Sequence, residues 1–162
     1  MTIRQVTVLL SFFTVAFVIV SCSNDKYFER NVKIADGSWA TNNKIPFSVV
    51  IQDTTTFYDF YVNLRNDVTY PYCNLILFMQ TTFPDGKIAR DTIECLLADF
   101  QGKWLGSGMG SVRYNRFLFQ QGVKFKKPGM YCFEFEQAMR IDPLTGIRDI
   151  GIRIDKKQGT TR

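Results

Sequence analysis

An alternation of apolar and polar side chains with a period of two recurs from Ile45 onward, and it limits the fold more than any other feature of the sequence. It is clearest at residues 60–64, 131–137 and 150–155. Successive side chains of a β-strand point to opposite faces, so this period predicts strands with one buried face. Residues 73–80 are largely apolar on both faces, which predicts a central strand.

Turn signals separate these segments. They include PDG at residues 84–86, KPG at 127–129 and DPLTG at 142–146, where proline presets φ and glycine accepts positive φ. No amphipathic helix of three turns is evident, and about eight short strands recur at intervals of roughly ten residues. We therefore predict an all-β fold, a single antiparallel β-sandwich.

Composition narrows the range of functions. The chain has 162 residues, of which 46% are hydrophobic, so it is long and apolar enough for one domain with a real core. It contains no histidine, the most frequent general base and zinc ligand. Most Ser-His, Cys-His and metal-hydrolase mechanisms are thereby excluded, and we expect no catalytic residues, no metal site and no cofactor.

The first 22 residues have the layout of a bacterial lipoprotein signal peptide. Arg4 supplies a positive charge, residues 6–20 are almost wholly apolar, and the sequence IVSC follows at 19–22. The apolar stretch is shorter than the about 20 residues that span a bilayer. IVSC resembles a lipobox, so we expect cleavage before Cys22 and acylation of its thiol, which binds the protein to a membrane. An uncleaved N-terminal anchor is the alternative.

The expected organisation has four parts. They are a signal peptide at residues 1–21, the acylated Cys22 with a tether at 22–44, the β-sandwich at 45–155 and a polar tail at 156–162. The position after Cys22 holds Ser23 and not aspartate, which favours the outer membrane. We expect a lipid-anchored protein of the cell envelope that faces the periplasm.

Three further cysteines, Cys73, Cys95 and Cys132, lie in apolar segments. Buried free thiols and one disulfide among the three are both open, because an exported protein folds in an oxidising compartment. Neither CxxC spacing nor histidine is present to complete a zinc site.

A glycine-rich segment around Trp104, at residues 102–110, invites comparison with phosphate-binding loops. It lacks the GK[ST] ending, and no helix is predicted after it, so we interpret it as a loop between strands. A partner-binding loop with Trp104 at its tip is the rival interpretation.

Charged residues suggest two weaker alternatives. Glu134 and Glu136 share one strand face about 7 Å apart, a separation that a glycosidase pair tolerates, although a solvated face is the default interpretation. Bases cluster in the second half, at Arg113, Arg116, Lys124, Lys126 and Lys127. A solvated face is the default interpretation, and attraction to anionic lipid or lipopolysaccharide is the alternative. We expect no nucleic-acid partner outside the cytoplasm.

Two short motifs are candidate O-glycosylation acceptors. Asp91-Thr92-Ile93 and Asp53-Thr54-Thr55 have the acidic residue and hydroxyl order of such acceptors in Bacteroidota. Thr92 and Thr54 are the candidate residues.

Several segments taken together resemble one family. They are YVNLRN at residues 61–66, YPYCNL at 70–75, GKWLGSG at 102–108, QAMR at 137–140, LTGI at 144–147 and IGIRI at 150–154. Their order and spacing are similar to those of the gliding-motility lipoprotein GldH family of Bacteroidota, from the lipobox to about Ile154.

The resemblance implies a lipid-anchored, non-enzymatic accessory protein of the gliding apparatus and the linked type IX secretion system. Only the lipid-bearing Cys22 is carried over from the family. We expect envelope proteins of this machinery as partners, with Trp104, Tyr70 and Tyr72 as exposed aromatic anchors and Arg140 beside them. The default interpretation of Arg140 is a charged residue that is solvated at the end of a strand. A carbohydrate-binding lipoprotein of a polysaccharide-uptake system, with Trp39, Trp104 and Tyr70 stacking on sugars, is the alternative.

Overall fold

The computed structural model describes residues 25–157, a chain of β-strands joined by turns with one 3₁₀ turn at Ala35–Gly37. The strands are β1 (Lys26–Lys33), β2 (Ser38–Trp39), β3 (Ile45–Ile51), β4 (Phe57–Asp67), β5 (Asn74–Thr82), β6 (Ile88–Leu96), β7 (Val112–Val123), β8 (Gly129–Gln137), β9 (Leu144–Thr145) and β10 (Ile147–Lys157).

Over residues 25–157 these strands form two antiparallel sheets and one short pair. Sheet I has the order β1-β10-β4-β7, sheet II has the order β3-β8-β5-β6, and β2 pairs with β9. The prediction of an all-β antiparallel sandwich is confirmed. β6 and β7 are edge strands, one in each sheet, and β1 and β3 are the edge strands on the opposite side.

The core lies between the two sheets. Burial alternates strictly along β3, where Ile45, Phe47, Val49 and Ile51 are buried and the residues between them are exposed. Each fully buried side chain of this kind stabilises the fold by roughly 1.5–3 kcal/mol relative to an exposed one. The period-two pattern is therefore the physical cause of the sandwich, because every strand must place its apolar face against the other sheet.

Strand register places both ends of the described chain at one end of the sandwich. Lys26 pairs with Asp155 in β10, and Asp155 pairs with Asp59 near the start of β4. The turns at residues 52–56, 83–87 and 124–128 lie at this end, which we call the N-terminal end. The opposite, distal end carries the connections at residues 34–44, 68–73, 97–111 and 138–146.

The segment expected to be a tether differs from that expectation. Residues 26–33 form β1, which pairs with β10 along its whole length, and Trp39 of β2 is fully buried. Residues 26–44 therefore belong to the folded domain, which does not start at Ile45. β10 likewise continues to Lys157, two residues into the segment expected to be a tail. Cys22 and the apolar leader lie outside the described residues.

The longest strand of the fold, β7, is irregularly paired with its neighbour. β7 runs from Val112 to Val123, and its register against β4 shifts on either side of Phe60. Such bulges insert a residue and break the alternation of inward and outward side chains along a strand. Within residues 25–157 no helix is long and apolar enough to cross a bilayer.

Candidate functional site

All four residues predicted as partner-binding lie in connections at the distal end. Tyr70 and Tyr72 belong to the β4–β5 connection, Trp104 to the β6–β7 connection and Arg140 to the segment that follows β8. Sequence alone could not show this grouping, because the three connections join different pairs of strands.

Tyr70 is part of the core and not a surface anchor. Its side chain is 4% exposed, and its hydroxyl donates a hydrogen bond to the backbone oxygen of Asn74 at 3.0 Å. Burial raises the pKa of Tyr70 far above its usual range. Tyr72 is half-buried and meets the Tyr70 ring edge-on at 5.5 Å. The expectation of an exposed Tyr70 ring is wrong, because the chain turns inward at this position.

The glycine-rich connection consists of two small hairpins. In the first, Ala98 bridges Trp104, and Leu105 N–H donates to the oxygen of Leu97 at 2.9 Å. In the second, Ser107 and Tyr114 exchange two backbone hydrogen bonds of 2.9 and 2.7 Å. Trp104 is half-buried and packs against the core, so it lies on an arm of the first hairpin and not at its tip.

One glycine of this connection is required for packing. A Cβ at Gly106 would lie 2.6 Å from the side-chain oxygen of Asn115, which is buried and hydrogen-bonded to Asn66 at 2.9 Å. This close contact explains why residue 106 is glycine, and a phosphate-binding role is not needed to explain it. The interpretation as a structured loop between strands agrees with this geometry.

The hairpin tips expose apolar side chains that the sequence analysis missed. Phe100 and Met109, at the two tips, are each 97% exposed, and Leu105, on an arm of the first hairpin, is 55% exposed. Ile141, next to the exposed Arg140, is 51% exposed on another distal connection. Large apolar side chains at loop tips are costly in water and are typical of interaction sites. The sequence contains a signal of this exposure, because Phe100 lies within the turn sequence DFQG and Met109 within GMG.

The distal end can therefore bind a partner through shape and apolar contact. Arg140 adds a positive charge beside Ile141, and Arg113 donates to the oxygen of Gly110 at 2.8 Å in the second hairpin. None of these groups is arranged for bond-breaking chemistry. In the described residues no cluster of three or more acidic or cysteine side chains could hold a metal ion.

The two candidate acids of an enzyme are ion-paired. Lys44 Nζ lies 3.5 Å from Glu134 and 3.7 Å from Glu136, and Arg90 lies 3.5 Å from Glu136. Lys44 contacts both carboxylates, whereas the two carboxylates of a glycosidase flank the scissile bond of its substrate. This arrangement favours the solvated, ion-paired face over the catalytic interpretation.

The candidate glycosylation sites lie apart from the distal connections. Thr92 is exposed on the edge strand β6, whereas Thr54 is half-buried in the turn at 52–56. Asp53 accepts hydrogen bonds from the hydroxyls of Thr56 and Thr55, and these bonds hold its pKa well below the usual value. Thr92 is the more accessible of the two acceptors.

A polar network covers the outer face of sheet I. Asn63, which is fully buried, donates to Glu29 at 2.9 Å and accepts from Tyr114 at 3.0 Å and from Arg116 at 2.9 Å. Arg116 and Arg153 both reach Glu29, at 3.0 and 3.4 Å. Partial burial works against the charge of Glu29, but these partners outweigh it and hold its pKa below 4.5. The network ties all four strands of sheet I together.

The basic residues that the sequence groups together are divided in space. Arg113 and Arg116 belong to the first half of β7, whereas Lys124, Lys126 and Lys127 lie in the connection at the N-terminal end.

Cys73, Cys95 and Cys132 are free thiols, exposed, buried and half-buried respectively. The disulfide considered as an alternative is not formed.

Comparison with known proteins identifies relatives over nearly the whole chain. A family profile described as GldH lipoprotein matches residues 26–154. "Gliding motility lipoprotein GldH homolog" of Christiangramia forsetii is 34% identical over 156 residues, which cover 90% of this chain and 95% of the relative. "Gliding motility lipoprotein GldH" of Flavobacterium johnsoniae is 30% identical over 149 residues, which cover 88% and 92%.

A solved structure described as that of the infectious bursal disease virus Gx strain aligns with 85% of this chain and 32% of its own, at 15% identity and a TM-score of 0.32. A similarity this low supports no conclusion about fold or function.

Proposed function

The chain belongs to the GldH lipoprotein family, and on that premise we propose that it is a lipid-anchored, non-enzymatic scaffold that serves gliding motility and the linked type IX secretion apparatus. The observation that carries this proposal is the exposure of Phe100 and Met109, each 97% exposed, at the end of the sandwich opposite Lys26. One end is then available to the membrane and the other to a partner.

The anchor is the acyl-bearing Cys22. Four residue steps separate it from Lys26, where β1 begins, and an extended chain covers at most roughly 14 Å in that number of steps. The N-terminal end of the sandwich is therefore held close to the bilayer, and the distal end points away from it. Ser23 after the cysteine favours the outer membrane, with the domain in the periplasm.

The docking surface is the distal end. Phe100, Met109 and Ile141 present apolar side chains to the periplasm, with Arg140 next to Ile141. Anchoring confines the domain to the membrane surface and raises its effective concentration near envelope partners, so moderate contacts suffice. The ion pairs of Glu134 and Glu136 with Lys44 support a role without catalysis.

A pull-down from native membranes in mild detergent tests this function. Lys157, the last described residue, lies at the N-terminal end, so a C-terminal tag is attached away from the docking surface. The variant Phe100→Ser/Met109→Ser removes the two most exposed apolar side chains. Its matched control, Ile88→Ser/Leu118→Ser, removes two exposed apolar side chains outside the distal end.

We expect the unmodified protein and the control to recover gliding or secretion components, and the tip variant to lose them while its thermal unfolding is unchanged. Cys22→Ala should leave the membrane fraction and weaken the same recovery. Equal recovery by the tip variant and the control would remove the distal end as the docking surface. Recovery with a polysaccharide transporter or a bound glycan would contradict the scaffold and favour carbohydrate binding.

A further inference from the structure

A cleft of about 500 Å³ opens between the two sheets at the N-terminal end. It lies where the edge strands β6 and β7 leave the sandwich uncovered, and the turn at 83–87 and the connection at 124–127 border its mouth. Its volume is in the range of roughly 300–1,000 Å³ typical of small-molecule sites. Nothing in the proposed scaffold function uses this cleft.

The floor of the cleft is apolar. Phe60, Met79, Phe125 and Phe133 line it and are each at least 94% buried, so a ligand reaches them only through the mouth. The hydroxyl of Tyr131, which also lines the cleft, already donates to the oxygen of Lys127 at 2.8 Å. A sugar or a peptide backbone would find few hydrogen-bonding partners here, whereas a hydrocarbon chain needs none.

The rim of the cleft is basic. Lys87, Lys124, Lys126 and Lys127 line it together with Asp85 and Asp91. Asp85 is held by Lys87 at 3.8 Å within its own turn and by Lys127 at 3.0 Å, and the contact with Lys127 joins the two segments that border the mouth.

Two lysines of the rim remain for a ligand. Lys124 and Lys126 form no ion pair with any described residue, and the Nζ of Lys124 lies 5.8 Å from the centroid of the exposed Phe57 ring. The ligand that fits has a hydrocarbon part for the floor and an anionic group for these two lysines.

The position of the cleft supplies the source of such a ligand. It opens at the end of the sandwich where the described chain starts, a few residues from Cys22. If the anchor acts as proposed above, on which this inference rests, the mouth lies beside the bilayer surface. Positively charged segments near a membrane attract anionic lipids.

We propose that the cleft binds one acyl chain of an anionic phospholipid of the anchoring membrane, with the phosphate held by Lys124 and Lys126. Asp91 stands on the β6 side of the cleft, where its charge repels a phosphate and directs the headgroup toward the lysines. The bound lipid fixes the rotation of the domain on the membrane, which a single point of attachment at Cys22 does not.

The test uses the full acylated protein in phosphatidylcholine vesicles that contain a phosphatidylglycerol with a photoreactive group in its acyl chain. After irradiation, mass spectrometry identifies the labelled peptides. We expect labels on the peptides that carry Met79, Phe125 and Phe133, and far fewer when the photoreactive lipid is phosphatidylcholine. Lys124→Gln/Lys126→Gln should lower the phosphatidylglycerol label about tenfold or more.

Two further variants make the result specific. Lys33→Gln/Lys103→Gln removes the same charge from positions outside the cleft, and its labelling should equal that of the unmodified protein. Ala89→Trp, on the β6 wall, should block the cleft and abolish the core labels. If this variant fails to fold by circular dichroism, the lysine pair and its control still decide the question.

Flotation of the vesicles separates the two proposals. Protein that does not float with the vesicles contradicts the anchor. Protein that floats but carries labels only on surface peptides, or equal labels from both lipids, overturns the cleft proposal and leaves the anchor intact. Occupation of the cleft by the protein's own acyl chain would give this second outcome, because the added lipid could not enter.

Discussion

Asn31 of β1 lies across the backbone of Gly151 in β10, and its side-chain oxygen fills the space that a Cβ at position 151 would need. The backbone oxygen of Arg30 lies 2.6 Å from the same point. A methyl group here would push the two strands apart, because backbone atoms within a paired sheet cannot rotate away. We expect Gly151→Ala to lower the free energy of unfolding by about 3 kcal/mol in urea titrations.

Gly110→Ala is the comparison for that variant. Gly110 has φ of +73° with nothing within 4 Å, so its substitution should cost only about 1 kcal/mol of backbone strain. Equal losses of stability in the two variants would contradict the close approach of β1 and β10.

Asn63 holds the network on the outer face of sheet I. Truncation in Asn63→Ala removes the common partner of Glu29, Tyr114 and Arg116, and we expect a loss of about 2 kcal/mol of unfolding free energy. Asn74→Ala removes one exposed hydrogen bond to Glu94 and should change stability by about 0.5 kcal/mol or less. Chemical denaturation of both variants checks the difference, and similar values would show that the network does not act as a unit.

Glu29 makes the stability of the protein depend on pH. Its pKa is lower in the folded chain than the ordinary 4.5, so the unfolded chain takes up the proton more readily. The stability gained from ionised Glu29 is present above pH 4.5 and is lost as the pH falls through the folded pKa. Glu29→Gln should therefore be less stable than the unmodified protein at neutral pH.

The matching measurement is a series of thermal or urea unfolding curves toward low pH. The difference between Glu29→Gln and the unmodified protein should shrink as the pH falls, because both side chains are then neutral. A difference that stays constant would mean that geometry and not charge accounts for the loss.

The three cysteines should differ in reactivity. Burial raises the pKa of Cys95 to about 12, and its side chain is fully buried, so it should react with a maleimide only after unfolding. Cys73 is exposed and should react first, with the half-buried Cys132 between them. Time-resolved mass spectrometry with Cys73→Ser as the control measures the order. Rapid labelling of Cys95 in the folded protein would contradict the packing of β6.

The sequence predicted the fold best where one face of a strand is continuously buried. Along β4 the residues Phe60, Val62 and Leu64 are buried as the alternation required, and β3, β8 and β10 follow the same rule. β1 has no fully buried residue, so its pattern is weak, and only its pairing with β10 reveals it.

The sequence indicated the connections that form the candidate site but not which of their side chains are exposed. Tyr70 stands beside a turn, and its sequence environment does not show whether the ring points inward; the structure buries it. Asn63 has the position of an outward polar residue, yet Glu29 and Arg116, distant in sequence, cover it completely. Such burial depends on partners brought together by the fold, which a local pattern cannot contain.

The pairing of β1 with β10 has a mechanical consequence. Tension between an anchor at the start of the chain and a partner at the distal end runs along β1, from Lys26 toward Lys33. Hydrogen bonds of an antiparallel pair are perpendicular to the strands, so this tension loads them together in shear and does not open them one after another. β1, in which the alternation of apolar and polar residues is weak, is therefore paired in the geometry that best resists a pull from the membrane.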